Sequence, residues 1–96
     1  MQACYLDELE ALRRELDELD TSIIDLLAKR FEVTGRVGVL KRDADAAAVD
    51  HEREREMFAR LRDRARDKGI SPELVESLYR LIVSEVVVGH RRTREG

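Results

Sequence analysis

The apolar residues of the first forty positions recur at alternating spacings of three and four. They form what we call the leucine seam, which consists of Leu9, Leu12, Leu16, Leu19, Ile23, Leu26, Val33, Val37 and Leu40. Such a rhythm keeps apolar side chains on one face of an α-helix. The pattern therefore predicts one long helix, running from about Asp7 to Lys41.

The length of this helix has a consequence for assembly. At 1.5 Å per residue it would be about 50 Å long, whereas a compact chain of 96 residues has a radius of gyration of about 12 to 13 Å. The helix must extend beyond its own domain, and its leucine seam then needs a second copy to cover it. The sequence thus predicts a homodimer.

Two shorter helices are predicted after the interrupting segment RDADAAAVD. Asp50 is a candidate N-cap for the second helix, which ends at Gly69. One face of that helix carries Glu54, Met57, Phe58, Leu61 and Ala65.

The third predicted helix starts with Ser71 as its N-cap and Pro72 as its first residue. Its helical spacing is set by Leu74, Leu78, Leu81 and Ile82. The β-branched residues at 82–88 would suit a strand, but a single strand would have no partner in this chain. We therefore expect an all-α fold with one long and two shorter helices per chain. It forms a single domain over residues 1–96, with residues 1–6 and 92–96 frayed.

Composition excludes several classes of protein. Lys and Arg number 18 against 21 Asp and Glu, giving a net charge of -3, and with these charges interspersed no nucleic-acid partner is expected. Cys4 has no intrachain disulfide partner, and His51 and His90 complete no zinc-ligand spacing, so no metal is expected. With neither a signal-like start nor an apolar run of about 18 residues, we expect a cytoplasmic protein without membrane contact.

Charged residues occupy positions where the pattern calls for apolar ones. Arg30 interrupts the leucine seam, and Lys41, eleven residues later, points within about 20° of it. Glu54 lies in the apolar stripe of the second helix beside Arg53, and His90 lies near the apolar face of the third. Each alone could be structural, since inward arginines pair with glutamates across helices. Several buried charges together favour a binding site for an anionic small molecule.

Four stretches resemble a known family, the all-α (AroQ-type) chorismate mutases. They are LRRELDELDTSIIDLLAKR, VGVLK, VDHERERE and LYRLI, and they are distributed over residues 12–82. The resemblance implies an intertwined homodimer of three-helix chains, in which each active site borrows a residue from the partner. It also implies that no cofactor takes part.

The resemblance assigns the cations to a dicarboxylate substrate. Arg13 is implied to be the residue that reaches into the partner's site, and Arg30 and Arg53 match the other anion-binding arginines. Lys41 matches the lysine that donates to the ether oxygen of the breaking bond.

The remaining family positions concern the ring and the second donor. Asp50 and Glu54 match the acidic residues near the ring hydroxyl. Val86 stands where the family often has serine, and His90 stands where it usually has glutamine, the second donor to the ether oxygen. On this basis Lys41, His90 and Glu54 are expected to be catalytic, and the other matched residues to bind substrate.

The implied activity is the Claisen rearrangement of chorismate to prephenate. Val86 and His90 leave other functions open: a mutase or lyase acting on 4-amino-4-deoxychorismate or isochorismate, or a weakly active helical dimer regulated by a partner enzyme of the shikimate pathway. A plain coiled-coil module is a third alternative, which leaves the inward charges unexplained.

Overall fold

Three α-helices make up the computed structural model, which describes the backbone of residues 2–44 and 50–95 and the side chains of 4–44 and 50–86. They are α1 (Gln2–Asp43), α2 (His51–Asp67) and α3 (Pro72–Glu95). The described residues contain no strand, which confirms the predicted all-α class with one long and two shorter helices. Helix α1 begins five residues before the predicted Asp7, and the fraying of residues 1–6 and 92–96 stays a prediction.

Helix α2 has the ends that its sequence predicts. The carboxylate of Asp50 caps its start by accepting the Arg53 backbone N–H at 3.0 Å. At its other end Gly69 adopts a left-handed φ of 70°, which glycine tolerates because it has no Cβ. The Gly69 N–H then donates to the Arg66 carbonyl at 3.1 Å, and the Ile70 N–H to the Ala65 carbonyl at 2.9 Å. These two bonds form a Schellman motif, which ends the helix and reverses the chain.

Helices α2 and α3 pack against each other. Among the described residues, the buried apolar side chains are on α2, namely Met57, Phe58 and Ala65. Facing positions of α3 are half-buried, including Val75, Tyr79, Ile82, Val83 and Val86. Of the four α3 positions that predicted the helix, only Ile82 is on this face, because Leu74, Leu78 and Leu81 are 51% to 73% exposed.

A group of charged side chains joins the two packed helices. One carboxylate oxygen of Glu76 accepts hydrogen bonds from Arg62 across the pair at 3.1 Å and from Arg80 along α3 at 2.9 Å. The Arg80 guanidinium also lies over the ring of buried Phe58, 4.8 Å from its centroid, which is a cation–π geometry. These contacts fix the register between α2 and α3.

The chain divides into two compact units, residues 1–33 and residues 34–96. In the first unit the leucine seam lies open: from Leu12 to Val33 its apolar members are 53% to 63% exposed. Isolated exposed leucines are ordinary, whereas a continuous apolar stripe marks an interaction surface.

The hydrogen bonds at the start of α3 make the stability of the fold depend on pH. Ser71 caps the helix by accepting the Leu74 N–H at 3.2 Å, and its hydroxyl donates to Glu73 at 3.1 Å. A backbone hydrogen bond lowers the pKa of Glu73 below its ordinary 4.5, and the Ser71 bond and the charge of Arg66 lower it further. The Glu73 carboxylate therefore stabilises the fold above its unfolded pKa, and this contribution is lost as pH falls through the lowered folded pKa.

We expect Glu73→Gln to lower the free energy of unfolding at about pH 7 and to have a smaller effect at about pH 3, where more of the carboxyl group is protonated. Urea titrations followed by circular dichroism at both pH values measure the difference. The same substitution at Glu56, an exposed residue of α2, is the control. A deficit of Glu73→Gln that persists unchanged at the lower pH would contradict the assignment.

Candidate active site

The first unit carries two of the predicted substrate-binding residues, both on α1. Arg13 is exposed, whereas Arg30 is half-buried and its Nη1 atom is shielded from solvent. A guanidinium remains charged at any physiological pH, so its burial favours an anionic group beside it. Arg30 is thus the predicted site residue whose surroundings best suit an anion in this unit.

A second row of positions on α1 is more buried than the leucine seam. It also has the three-four rhythm, and it consists of Leu27, Phe31, Thr34, Gly38 and Lys41, of which Gly38 is buried and the rest half-buried. The apolar pattern did not reveal this row, because only two of its five members are large apolar residues. Helix α1 therefore has two neighbouring rows with different exposure in one chain.

Lys41 belongs to that buried row. It lies in the second unit, one helical turn after Gly38, and its side chain is half-buried. The sequence predicted that Lys41 and Arg30 point in similar directions, and the two share the same intermediate exposure. A half-buried lysine can still present its ammonium group to a ligand, because its apolar stem covers the surface below.

The start of α2 holds three predicted site residues within one helical turn. Asp50 and Arg53 are exposed, and Glu54 is half-buried, with His51 Nδ1 4.0 Å from its carboxylate. Sequence reasoning missed His51, although its place three residues before Glu54 on a helix was a signal for this contact. Asp50 is occupied as the N-cap, so any role in binding a ligand is additional to its structural one.

The end of α3 is only partly described. Val86 is half-buried, on the face that packs on α2. His90 belongs to α3, but its side chain lies outside the described residues. The predicted donor role of His90 therefore stays a prediction.

The described residues contain no group of three or more His, Cys, Asp or Glu side chains placed to hold a metal ion. No helix in this part of the chain combines the length and apolar character needed to cross a membrane.

Comparison with known proteins decides the family. Residues 12–89 match the family model of chorismate mutase type II. The chain belongs to the chorismate mutase type II family. The matched range includes every predicted site residue except His90, which lies one position beyond it, and the family expected from the sequence motifs is confirmed.

Several known proteins are moderately similar to this chain. A T-protein of Enterobacter agglomerans is 38% identical over 78 residues, 81% of this chain and 21% of that protein. The 4-amino-4-deoxychorismate mutase of Streptomyces pristinaespiralis is 31% identical over 83 residues, 86% of this chain and 64% of that protein. The bifunctional chorismate mutase/prephenate dehydratase of Aquifex aeolicus is 34% identical over 82 residues, 82% of this chain and 23% of that protein. The chain thus spans about a fifth of the T-protein's length.

Asp50 is both the N-cap of α2 and a predicted site residue, and two substitutions separate these roles. Asparagine caps a helix about as well as aspartate, whereas alanine cannot accept the Arg53 N–H, so Asp50→Ala should lower the free energy of unfolding by about 1 kcal/mol and Asp50→Asn by much less. Urea denaturation followed by circular dichroism measures both. Equal losses for the two variants would contradict the cap assignment, and a stable Asp50→Asn chain that loses turnover would show that the site also needs the negative charge.

Proposed function

We propose that this chain is a chorismate mutase that converts chorismate to prephenate by a Claisen rearrangement. The observation that carries the proposal is the match of residues 12–89 to the chorismate mutase type II family. The partly shielded guanidinium of Arg30, set within a seam of leucines, supports an anionic substrate. A substrate with two carboxylates suits the several cations that we assign to the site.

The reaction is unimolecular, so the protein has two tasks. The first is to hold the flexible side chain of the substrate over the ring in the reactive geometry, which removes part of the entropic barrier. In our proposal the guanidinium groups of Arg13, Arg30 and Arg53 do this by binding the carboxylates. Planar guanidinium groups suit this role because they can donate two parallel hydrogen bonds to one carboxylate.

The second task is to stabilise the negative charge that develops on the ether oxygen as the carbon–oxygen bond breaks. Lys41 is the proposed principal donor, and His90 the second. A donor that meets charge present mainly in the transition state raises the rate and does more than tighten binding. Glu54 and Asp50 are proposed to lie beside the ring substituent.

The active unit is proposed to be a homodimer in which each site borrows Arg13 from the other chain. The exposed leucine seam supports this arrangement, because its apolar members from Leu12 to Val33 are 53% to 63% exposed in the single chain. Burying such a stripe against a second copy removes apolar surface from water at about 25 cal/mol per Å². Dimerisation would then be needed both for stability and for a complete site.

A related substrate is the second candidate. The similarity to the 4-amino-4-deoxychorismate mutase of Streptomyces pristinaespiralis supports an amino group in place of the ring hydroxyl. The carboxylate of Glu54 could accept a hydrogen bond from a hydroxyl or from an amino group. Val86 offers no hydroxyl, so it favours neither substrate.

A substrate panel combined with a Lys41 variant tests the activity. We expect purified protein to consume chorismate and to form prephenate, identified by mass spectrometry. Lys41→Met should lower kcat by about 100- to 1,000-fold with a smaller change in KM, because the lost donor acts mainly in the transition state.

The matched control is Arg42→Ala, which removes the neighbouring exposed cation of α1 and should leave kcat within about two-fold of the wild type. Faster turnover of 4-amino-4-deoxychorismate than of chorismate would favour the second candidate function. No turnover of either substrate by the dimeric protein would exclude both.

Mixing two inactive variants tests whether the sites are shared. Arg13→Ala and Lys41→Ala should each be nearly inactive alone. In a mixed dimer one site carries both defects and the other is intact, so equimolar mixing should restore about a quarter of wild-type activity after subunit exchange. Turnover measured before and after incubation of the mixture follows the recovery. If the dimers exchange subunits without any recovery, Arg13 serves its own chain.

A further inference from the structure

The carboxylate of Glu54 has a histidine beside it in the first turn of α2. Nδ1 of His51 lies 4.0 Å from Oε2 of Glu54, and the side chain of His51 is 80% exposed whereas that of Glu54 is 29% exposed. Residues three positions apart on a helix lie on the same face. Histidine gains and loses its charge within the physiological pH range, so the carboxylate has a neighbour whose charge depends on pH.

We propose that His51 is a specificity-determining residue, whose charge sets how strongly Glu54 favours an amino group over a hydroxyl on the substrate ring. This inference rests on the proposed function, in which Glu54 lies beside the ring substituent. A protonated His51 offsets the charge of the Glu54 carboxylate, whereas a neutral His51 leaves that charge in full. Chorismate and 4-amino-4-deoxychorismate differ in this substituent, so His51 acts on the choice between them.

The distance between the two side chains brings His51 within reach of the substituent. A donor bound to Oε2 of Glu54 lies about 3 Å from that oxygen. Because His51 Nδ1 is 4.0 Å from the same oxygen, the donor lies within about 7 Å of the imidazole. At that separation two unit charges still interact measurably at the surface of a protein.

The sign of the effect follows from the charges of the two substituents. A primary amine is positively charged at neutral pH, whereas a hydroxyl is neutral. At acidic pH a cationic His51 repels the ammonium group and weakens its attraction to Glu54. As pH rises, His51 loses its charge and the attraction increases, while the hydroxyl of chorismate is affected less. The preference for the amino substrate therefore increases with pH.

Other titratable groups surround His51 on both packed helices. The Arg62–Glu76 and Phe58–Arg80 contacts define the antiparallel register of α3 on α2, and the same register places position 87 level with His51. On α2 the charged neighbours in sequence are Asp50, Glu52, Arg53 and Arg55, all exposed, and on α3 the titratable residues nearest to that level in the sequence are Glu85, His90 and Arg91. A change at position 51 leaves these groups in place, so variants at this position isolate the contribution of His51.

Two substitutions fix the charge at position 51. His51→Gln is neutral at every pH, and His51→Arg is cationic throughout the range. We measure kcat and KM for chorismate and for 4-amino-4-deoxychorismate from about pH 5 to pH 8. In the wild type the ratio of the KM for chorismate to the KM for the amino substrate should rise about three-fold or more over this range. The ratio should stay near the wild-type value of the upper limit in His51→Gln, and near that of the lower limit in His51→Arg.

The pH response should appear in KM and not in kcat. The ring substituent keeps its charge during the rearrangement, so its interaction with Glu54 and His51 is the same in the ground state and in the transition state. If the amino compound binds without reacting, its inhibition constant against chorismate replaces its KM. A merely structural role of His51 would change the KM ratio in the same direction in both variants.

The matched control is Arg60→Gln. Arg60 is an exposed cation of α2, and it lies six residues, about 9 Å, along the helix from Glu54. This substitution removes a positive charge from the same helix without changing the neighbour of the Glu54 carboxylate. The KM ratio of Arg60→Gln should therefore rise with pH as in the wild type.

The outcomes separate this inference from the proposed function. Turnover of chorismate with a KM ratio that does not change with pH would overturn the inference and leave the proposed function in place. An equal rise in His51→Gln would overturn it as well, because the responding group would then lie elsewhere. Absence of turnover with both substrates would overturn the inference together with the proposed function.

Discussion

Burial of the leucine seam of α1 is the interaction on which the rest of this structure depends. Among the described residues of one chain, the buried apolar side chains are Met57, Phe58 and Ala65, all on α2. Long apolar side chains from Leu12 to Val33 remain in water. A small domain already buries a modest fraction of its surface, so leaving this stripe exposed would remove a large part of the available hydrophobic stabilisation. The proposed dimer restores it.

Helix α1 therefore carries one row of side chains that is exposed in the single chain and another row that is more buried. Its buried row, from Leu27 to Lys41, is rotated by about 100° around the helix from the leucine seam, because each of its members directly follows a position of the seam pattern. Charged residues appear in both, Arg30 in the seam and Lys41 in the buried row. Both of these cations are half-buried, whereas Arg13 and Arg53 are exposed, and burial of a cation favours an anionic group beside it.

The short helices hold their charged residues by local interactions. Asp50 fixes the first turn of α2 and thereby the backbone of Arg53, while Glu76 ties α2 to α3 through two arginines. Since α2 carries Glu54 and α3 carries Val86, this register determines how those two positions are presented. In this chain, structural and proposed catalytic roles thus coincide in the same short segments.

The sequence by itself determined the helices, their caps and the family. Asp50, Gly69 and Ser71 act through hydrogen bonds and backbone angles within a few residues, so local pattern was enough to place the ends of α2 and the start of α3. The motifs around Arg30, Lys41 and Glu54 were likewise sufficient to name the chorismate mutases. Only the tertiary structure decided which apolar rows are buried in one chain: it left Leu74, Leu78 and Leu81 exposed and buried Gly38. Periodicity marks every apolar face alike, because spacing carries no information about which neighbour will cover it.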